Sequence, residues 1–217
     1  MRPDLVAKTD IQFPWKGEIN LELGKLVVDN NRGNVVDVGC GTCQVYQHLI
    51  RHGWKGEYVG VDAVAYEGYT YPEAAKIILG DALAVPLPQS NTYILYDVLE
   101  HVEDPIGLLS KCIRSADNVL VAVPKRNEDL WRRGVVEYHQ LDRTHKHWGF
   151  TEHELRLLVK CSDGQIVKYQ ELVPIDILGL LGAFTESDRF YRLMEQLTKL
   201  FPTKTYFQEL WCEVTKA

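Results

Sequence analysis

The sequence lacks the features that mark several large classes of protein. It has no apolar run long enough for a bilayer-spanning helix, and no basic start followed by an apolar stretch, so we expect neither a membrane span nor a signal peptide. Cysteine is scarce and odd in number, with five in 217 residues, and only Cys40 and Cys43 lie close together. Because secreted disulfide frameworks use even, regularly spaced cysteines, this pattern favours a reducing, cytoplasmic location.

An excess of positive charge is also missing. The chain carries 24 Lys and Arg residues against 30 Asp and Glu residues, a net charge of -6. No basic stripe or known nucleic-acid-binding module is visible, so we do not expect a nucleic acid as substrate. The length fits one domain with a substantial core.

What is present is an alternation of short apolar runs with helical patterns. We predict strands at 34–38, 58–61, 76–79, 92–96 and 118–123, and helices at 44–52 and 106–114. Strands separated by helices indicate βαβ units and a mostly parallel sheet.

Acidic residues follow four of these predicted strands. They are Asp37, Asp62, Asp81 and Asp97, each at or just beyond the carboxyl end of its strand. Ligands of such sheets lie beyond this edge, and packing alone does not require four carboxylates there. The sequence therefore predicts a binding site along this edge.

A glycine turn follows the first predicted strand. Gly39 and Gly41 allow the backbone to turn sharply and to approach a ligand closely. A dinucleotide fingerprint needs a third glycine where Gln44 stands, which argues against a nicotinamide enzyme. Asp62 has the spacing of a ribose-binding carboxylate, and Asp81 is a candidate for the adenine amino group.

The motifs VVDVGCGTC, VGVD, GDA and ILYDVLEHVEDP, in this order and spacing, resemble those of class I S-adenosylmethionine-dependent methyltransferases. The fourth motif and the block HKHWGFTEHEL at 145–155 are similar to a small-molecule branch of that family. The resemblance runs from Val35 to the C-terminus. It implies a Rossmann-like seven-stranded, mostly parallel sheet with helices on both faces and an antiparallel last strand. Suitable final strands are 165–172 and 206–214, with a helix at 186–200 between them.

The resemblance also implies a set of cofactor-binding residues. The residues near the methionine part, the ribose and the adenine are Asp37, Gly39, Cys40, Gly41, Asp62, Ala63, Asp81, Ala82, Asp97 and Val98. One departure is Cys43, which stands where the family usually has a third alternating glycine. We expect this small thiol to pack beneath the following helix.

The predicted reaction is methyl transfer to an oxygen or nitrogen atom of a small molecule. Such a nucleophile needs a base, for which His101 is the first candidate and His145 the second, with Glu100 beside them. The alternative for His101 is a structural hydrogen bond within its loop.

A metal site is a further alternative. Some relatives with a Glu-x-x-Glu-His fourth motif use a divalent cation, and the matching set here is Asp97, Glu100, His101 and His145. Since the first residue is the shorter Asp and metal-free members carry the same segment, the sequence favours a site without metal.

The substrate is expected to contact a long connection at 124–150, within a methyltransferase domain at 34–217. Its Arg, Lys and aromatic residues suit an anionic or aromatic acceptor, although a solvated surface helix at 128–137 accounts for most of its charges. Residues 1–33 are predicted to form a helical segment that covers the same cleft.

Two other functions remain open at this stage. Cys40 and Cys43 form a C-x-x-C pattern, as in dithiol oxidoreductases, although the glycine turn already explains the motif. The second is a catalytically silent methyltransferase-like domain that acts as a binding partner, because fold alone does not determine function.

Overall fold

The computed structural model describes residues 14–66, 68–132, 134, 137–174 and 207–217. Its strands are β1 Val35–Val38, β2 Tyr58–Asp62, β3 Ala75–Leu79, β4 Ser90–Tyr96, β5 Ala116–Pro124, β6 Gly164–Pro174 and β7 Phe207–Lys216. Its helices are α1 Pro14–Asn30, α2 Gln44–Arg51, α3 Pro105–Ser115, α4 Glu128–Arg132 and α5 Glu152–Cys161. None of the helices in these described ranges is long and apolar enough to cross a membrane.

The seven strands form one sheet in the order β3-β2-β1-β4-β5-β7-β6. Pairing is parallel from β3 to β5, whereas β7 runs antiparallel to both β5 and β6. The predicted fold is therefore confirmed. The chain reverses its spatial order between β1 and β4, and such a switch point is where open α/β sheets bind their ligands.

The central strands carry apolar side chains on both faces of the sheet. Successive residues of a strand point to opposite faces, so each face has its own apolar cluster. Leu95 of β4 belongs to the same buried cluster as Leu108 of α3 and Leu155 of α5. Its neighbour Ile94 points to the opposite face and packs with Leu49 of α2. This two-sided burial explains why the central strands are continuous apolar runs instead of alternating ones.

Most of the predicted strands and helices lie within two residues of the observed ones. The exception is the surface helix expected at 128–137, since α4 ends at Arg132 and a short 3-10 turn follows at Tyr138–Leu141. The predicted helix at 186–200, and the first residue of the predicted strand at 206–214, lie outside the described residues. Helix α1 packs on α2. The predicted domain boundary, and the prediction that residues 1–33 cover the substrate cleft, stay predictions.

Candidate active site

The turn between β1 and α2 requires glycine for two reasons. Gly39 and Gly41 have positive φ angles of 73° and 51°, which L-residues with a Cβ rarely adopt. A Cβ on Gly39 would also lie 2.5 Å from Cγ2 of Val98. The turn is fixed to the sheet because the N–H of Gly39 donates to the carbonyl of Val61 at 2.7 Å.

Asp62 connects the end of β2 to this turn. Its carboxylate is buried and accepts hydrogen bonds from the N–H of Gly41 at 2.8 Å and of Val64 at 2.9 Å. The acidic residue with ribose-binding spacing therefore lies directly against the glycine turn, and Ala63 follows it in the same bend. Each carboxylate oxygen still has a lone pair for a further hydroxyl donor.

Asp37 lies within β1 and is buried. The hydroxyl of Tyr58 donates to its Oδ2 at 2.5 Å. Burial raises the pKa of Asp37 to about 7, against the lowering effect of the Tyr58 hydrogen bond and with a further contribution from Asp62. Sequence reasoning missed Tyr58, because a tyrosine at the start of a strand carries no functional signal by itself.

Cys43 precedes α2 in a left-handed conformation with φ of 57°. Its side chain is fully buried in the same apolar cluster as Leu49 of α2 and Tyr58, which agrees with the predicted packing beneath the helix. Cys40 is also buried, and its Sγ packs against Gly60 of β2. A dithiol oxidoreductase needs an accessible attacking thiol, so this placement does not favour that alternative.

The loop after β3 is held by its own aspartate and by a lysine of α3. Asp81 organises the loop itself, since its carboxylate accepts from the N–H of Leu83 at 2.9 Å. The ammonium of Lys111 in α3 donates to the carbonyls of Ala82, Leu83 and Val85 at 2.8, 2.9 and 2.6 Å. Sequence reasoning missed Lys111, because this contact joins segments almost thirty residues apart.

Beyond β4 the chain leaves the sheet at Asp97. This residue has a φ of 54°, a conformation that Asp tolerates better than most side chains, and its N–H donates to the carbonyl of Ala122 at 3.1 Å. Val98 follows, buried against the glycine turn, and then a 3-10 turn at Leu99–His101. The first and fourth predicted motifs are thus in direct contact.

Glu100 occupies the interior of this turn. Its side chain is fully buried, and among the described residues no other residue donates a hydrogen bond to either carboxylate oxygen. Burial raises the pKa of Glu100 well above its usual value, the charge of Asp97 raises it further, and a hydrogen bond from its own backbone N–H lowers it. The backbone carbonyl accepts from the N–H groups of Lys146 and His147 at 2.7 and 3.1 Å, which fixes the later loop here.

His101 and His145 meet beside this carboxyl group. Their ring centroids are 4.5 Å apart, and Nε2 of His101 lies 3.9 Å from Oε1 of Glu100. One ligand atom from each of the three residues lies within 4.8 Å of the other two. The structure therefore brings together the three predicted catalytic residues, whereas Asp97, the fourth member of the alternative metal set, is not part of this group.

Hydrogen bonds determine which nitrogen of His101 carries the proton. The hydroxyl of Thr144 donates to Oδ1 of Asp142 at 2.6 Å, and the Thr144 hydroxyl oxygen lies 3.0 Å from Nδ1 of His101. Since a hydroxyl has one proton, Thr144 accepts from Nδ1–H. This leaves the lone pair of His101 on Nε2, the nitrogen nearer to Glu100.

The neighbouring histidines are mostly buried. Burial lowers the pKa of His145 to about 4, helped by His101 and opposed by Asp142. The pKa of His139 is also lowered to about 4, by burial and then by His145. His147 donates from Nε2 to the carbonyl of Val102 at 3.1 Å, which is a structural role.

Glu209 of β7 is a second buried carboxyl group behind this site. Burial raises its pKa well above the usual value, with further contributions from the charges of Asp97 and Glu100. Three carboxyl groups thus lie close enough to repel one another when ionised. A glutamate within an apolar last strand was the available sequence signal, and sequence reasoning missed it.

A cleft of about 370 Å³ opens next to the histidines, at the carboxyl end of β5. It is lined by Arg126, Lys146, His147, Trp148, Gly149, Phe150 and Glu154. Arg126 is already paired with Glu154 at 2.5 Å. Trp131 stacks near Trp148 at 5.7 Å between ring centroids, and both are about half exposed.

The chain is similar to a known family of proteins. The methyltransferase domain family matches residues 14–168, which is more than half of the chain. The chain belongs to the methyltransferase domain family. It is a methyltransferase, as the ordered motifs imply. No curated protein matches it in sequence.

Solved structures of methyltransferases and of a cyclase share the fold. A SAM-dependent methyltransferase from Archaeoglobus fulgidus is 17% identical, with 93% of this chain and 94% of that chain covered and a TM-score of 0.64. Magnesium protoporphyrin IX methyltransferase from Synechocystis PCC 6803, with bound S-adenosylhomocysteine, is 16% identical, with coverages of 97% and 90% and a TM-score of 0.59. The [4+2]-cyclase SpnF is 14% identical, with coverages of 96% and 84% and a TM-score of 0.58.

Proposed function

We propose that this methyltransferase transfers the methyl group of S-adenosylmethionine to an oxygen or nitrogen atom of a small-molecule acceptor. The observation that carries the proposal is the group of Glu100, His101 and His145. It follows β4 at the same edge of the sheet as the glycine turn, and Val98 connects the two directly. A candidate base thus lies beside the predicted cofactor pocket.

The cofactor would lie across the ends of β1, β2 and β3. Gly39, Cys40 and Gly41 would leave room for its methionine part, Asp62 and Ala63 would hold the ribose, and Asp81 and Ala82 the adenine. When bound, it supplies a methyl group on a positively charged sulfur, which keeps the electron pair of the broken C–S bond. The protein's task is to align the acceptor and to remove its proton.

His101 is suited to take that proton. Its Nδ1–H is held by Thr144, which Asp142 holds in turn, and this arrangement leaves Nε2 as the acceptor nitrogen. Glu100 lies 3.9 Å from Nε2, and the positive charge of the imidazolium that forms would favour ionisation of this carboxyl group and be stabilised by it. Asp142 and Thr144 act as positioning residues in this scheme.

The acceptor would enter through the cleft beside His147. Lys146 and Arg126 offer positive charge, and Trp148 and Phe150 offer aromatic surface, which suits a small molecule with an anionic group or a ring. Arg126 is partly neutralised by Glu154. The half-exposed Lys146 side chain is therefore the more available cation, although Glu103 pairs with it at the surface.

Methyl transfer with and without His101 tests this proposal. Pools of small carboxylates, phenols and amines would be incubated with S-adenosylmethionine, and the S-adenosylhomocysteine released would be measured. His101→Asn should reduce the rate by about 10² to 10⁴, with unchanged affinity for S-adenosylhomocysteine. His153→Asn, on the exposed face of α5, is the matched control. Wild-type turnover in His101→Asn would contradict the assignment of the base.

A further inference from the structure

The connection between β2 and β3 carries three tyrosines, Tyr66, Tyr69 and Tyr71. It begins directly after Asp62, the proposed ribose ligand, yet the proposed function uses only Ala63 from it. A tyrosine combines a large apolar ring with a polar hydroxyl, so its contacts indicate what a surface connection covers.

Two of the tyrosines hold this connection against the glycine turn. The hydroxyl of Tyr69 donates to the carbonyl of Thr42 at 2.6 Å. The ring of Tyr71 contacts that of Tyr69 edge to face, at 5.1 Å between centroids, and packs against the buried cluster that contains Cys43. The N–H of Tyr69 also donates to the carbonyl of Tyr66 at 3.2 Å, which fixes the backbone of Tyr66 near the same turn.

The hydroxyl of Tyr66 lies beside the glycine turn. Its oxygen is 3.7 Å from the position that a Cβ on Gly41 would occupy. Burial raises the pKa of Tyr66, and the charge of Asp62 raises it further, so the phenol is also within electrostatic reach of that carboxylate. More than a third of the residue is still exposed. The hydroxyl can therefore meet a molecule that binds against Gly41 and Asp62.

A ribose hydroxyl both donates and accepts hydrogen bonds, and it needs partners for both when it leaves water. The carboxylate of Asp62 can only accept. The N–H groups of Gly41 and Val64 hold it in place and leave lone pairs for ribose protons. The ribose oxygens then need a donor, and the phenol of Tyr66 is a donor beside the same carboxylate.

We propose that the hydroxyl of Tyr66 donates a hydrogen bond to a ribose hydroxyl oxygen of the bound cofactor. Asp62 and Tyr66 would contact the ribose as acceptor and donor, and a nucleoside without that hydroxyl would lose both contacts. This inference rests on the proposed function, because it requires the ribose of S-adenosylmethionine to lie against Asp62.

A thermodynamic cycle between the protein hydroxyl and the ligand hydroxyl tests the inference without any assay of activity. S-adenosylhomocysteine and its 2′-deoxyribose and 3′-deoxyribose analogues would be titrated by calorimetry into wild type, Tyr66→Phe and Tyr169→Phe. Tyr169→Phe is the matched control, because it removes a hydroxyl that bonds Glu171 on β6, at the opposite edge of the sheet. Circular dichroism would show that each protein is folded.

We expect S-adenosylhomocysteine to bind Tyr66→Phe about twofold to tenfold more weakly than wild type, and Tyr169→Phe as tightly as wild type. The analogue that lacks the contacted hydroxyl should bind wild type and Tyr66→Phe equally. The two losses are not additive, because each of them removes the same hydrogen bond.

Equal affinity of wild type and Tyr66→Phe for S-adenosylhomocysteine would overturn the inference and leave the proposed function intact. A loss in Tyr66→Phe of the same size for all three ligands would also overturn it, since the phenol would then not contact the ribose hydroxyls. An equal loss in Tyr169→Phe would do the same. A folded wild type that does not bind S-adenosylhomocysteine would contradict the proposed function itself.

Discussion

At the scale of single residues, the glycine turn depends on the absence of one methyl group. Gly39→Ala would place a Cβ 2.5 Å from Cγ2 of Val98 at a φ of 73°, so the turn must move. The strain of a left-handed residue alone is about 1–2 kcal/mol. We expect the affinity for S-adenosylhomocysteine, measured by calorimetry, to fall roughly tenfold or more.

Gly53 provides a matched control for this substitution. It has nearly the same φ, 77°, but a Cβ there would meet no atom within 4 Å. Gly53→Ala should therefore lose a little stability and keep its affinity. Equal losses of affinity in the two variants would show that left-handed strain, and not contact with Val98, explains the effect.

The raised pKa of Asp37 leads us to expect that the stability of the protein depends on pH. Its pKa rises from 3.8 to about 7 on folding, so between these values the folded protein keeps a proton that the unfolded chain has released. Its contribution to the free energy of unfolding therefore falls as pH rises through this window, by at most about 1.4 kcal/mol per pH unit. Below and above the window the contribution is constant.

Urea unfolding of wild type and Asp37→Asn near about pH 4.5 and about pH 8 measures this effect. The wild type should become less stable relative to the variant at the higher pH. Asp29→Asn, at an exposed position of α1, controls for loss of a carboxylate at the surface. A constant difference between wild type and Asp37→Asn across the window would contradict the raised pKa.

At the scale of secondary-structure elements, α3 supports the loop after β3, which is the proposed adenine loop, through one lysine. Lys111→Met removes three hydrogen bonds from an ammonium group to backbone carbonyls and leaves those carbonyls without this donor. Bonds of this kind contribute about 1.5–3 kcal/mol each when both groups are well shielded, and less at this partly buried site.

We expect Lys111→Met to lower the melting temperature and to raise the dissociation constant of S-adenosylhomocysteine severalfold. The control is Lys160→Met, an exposed lysine in the last turn of α5. If Lys111→Met melts earlier but binds as tightly as the control, the lysine stabilises α3 packing without positioning the loop.

The elements were largely predictable from the sequence, because buried parallel strands are short apolar runs and four of the five have an acidic residue at or just beyond their carboxyl end. The side chains around them were less predictable. Tyr58 reaches Asp37, Glu209 lies behind Glu100, and Lys111 reaches the loop after β3 only through tertiary packing. Nothing local in the sequence encodes these long-range contacts.

At the scale of the whole molecule, the sheet topology places the residues proposed for the cofactor and for the acceptor at one edge. The strand order brings β4 next to β1, so the turn with Glu100 and His101 lies beside the glycine turn. The backbone of Glu100 then fixes the loop with His145 in the same place. The sequence predicted both groups of residues, but their meeting is a consequence of the fold.

The most direct test of this account is calorimetric titration of S-adenosylhomocysteine into wild type, Asp62→Ala and Asp29→Ala. Asp62 supports the glycine turn and is the proposed ribose ligand, whereas Asp29 is exposed on α1. The account predicts micromolar binding to wild type and to Asp29→Ala, and a loss of more than about tenfold in Asp62→Ala. Absence of binding to folded wild type, or equal binding to all three proteins, would contradict it.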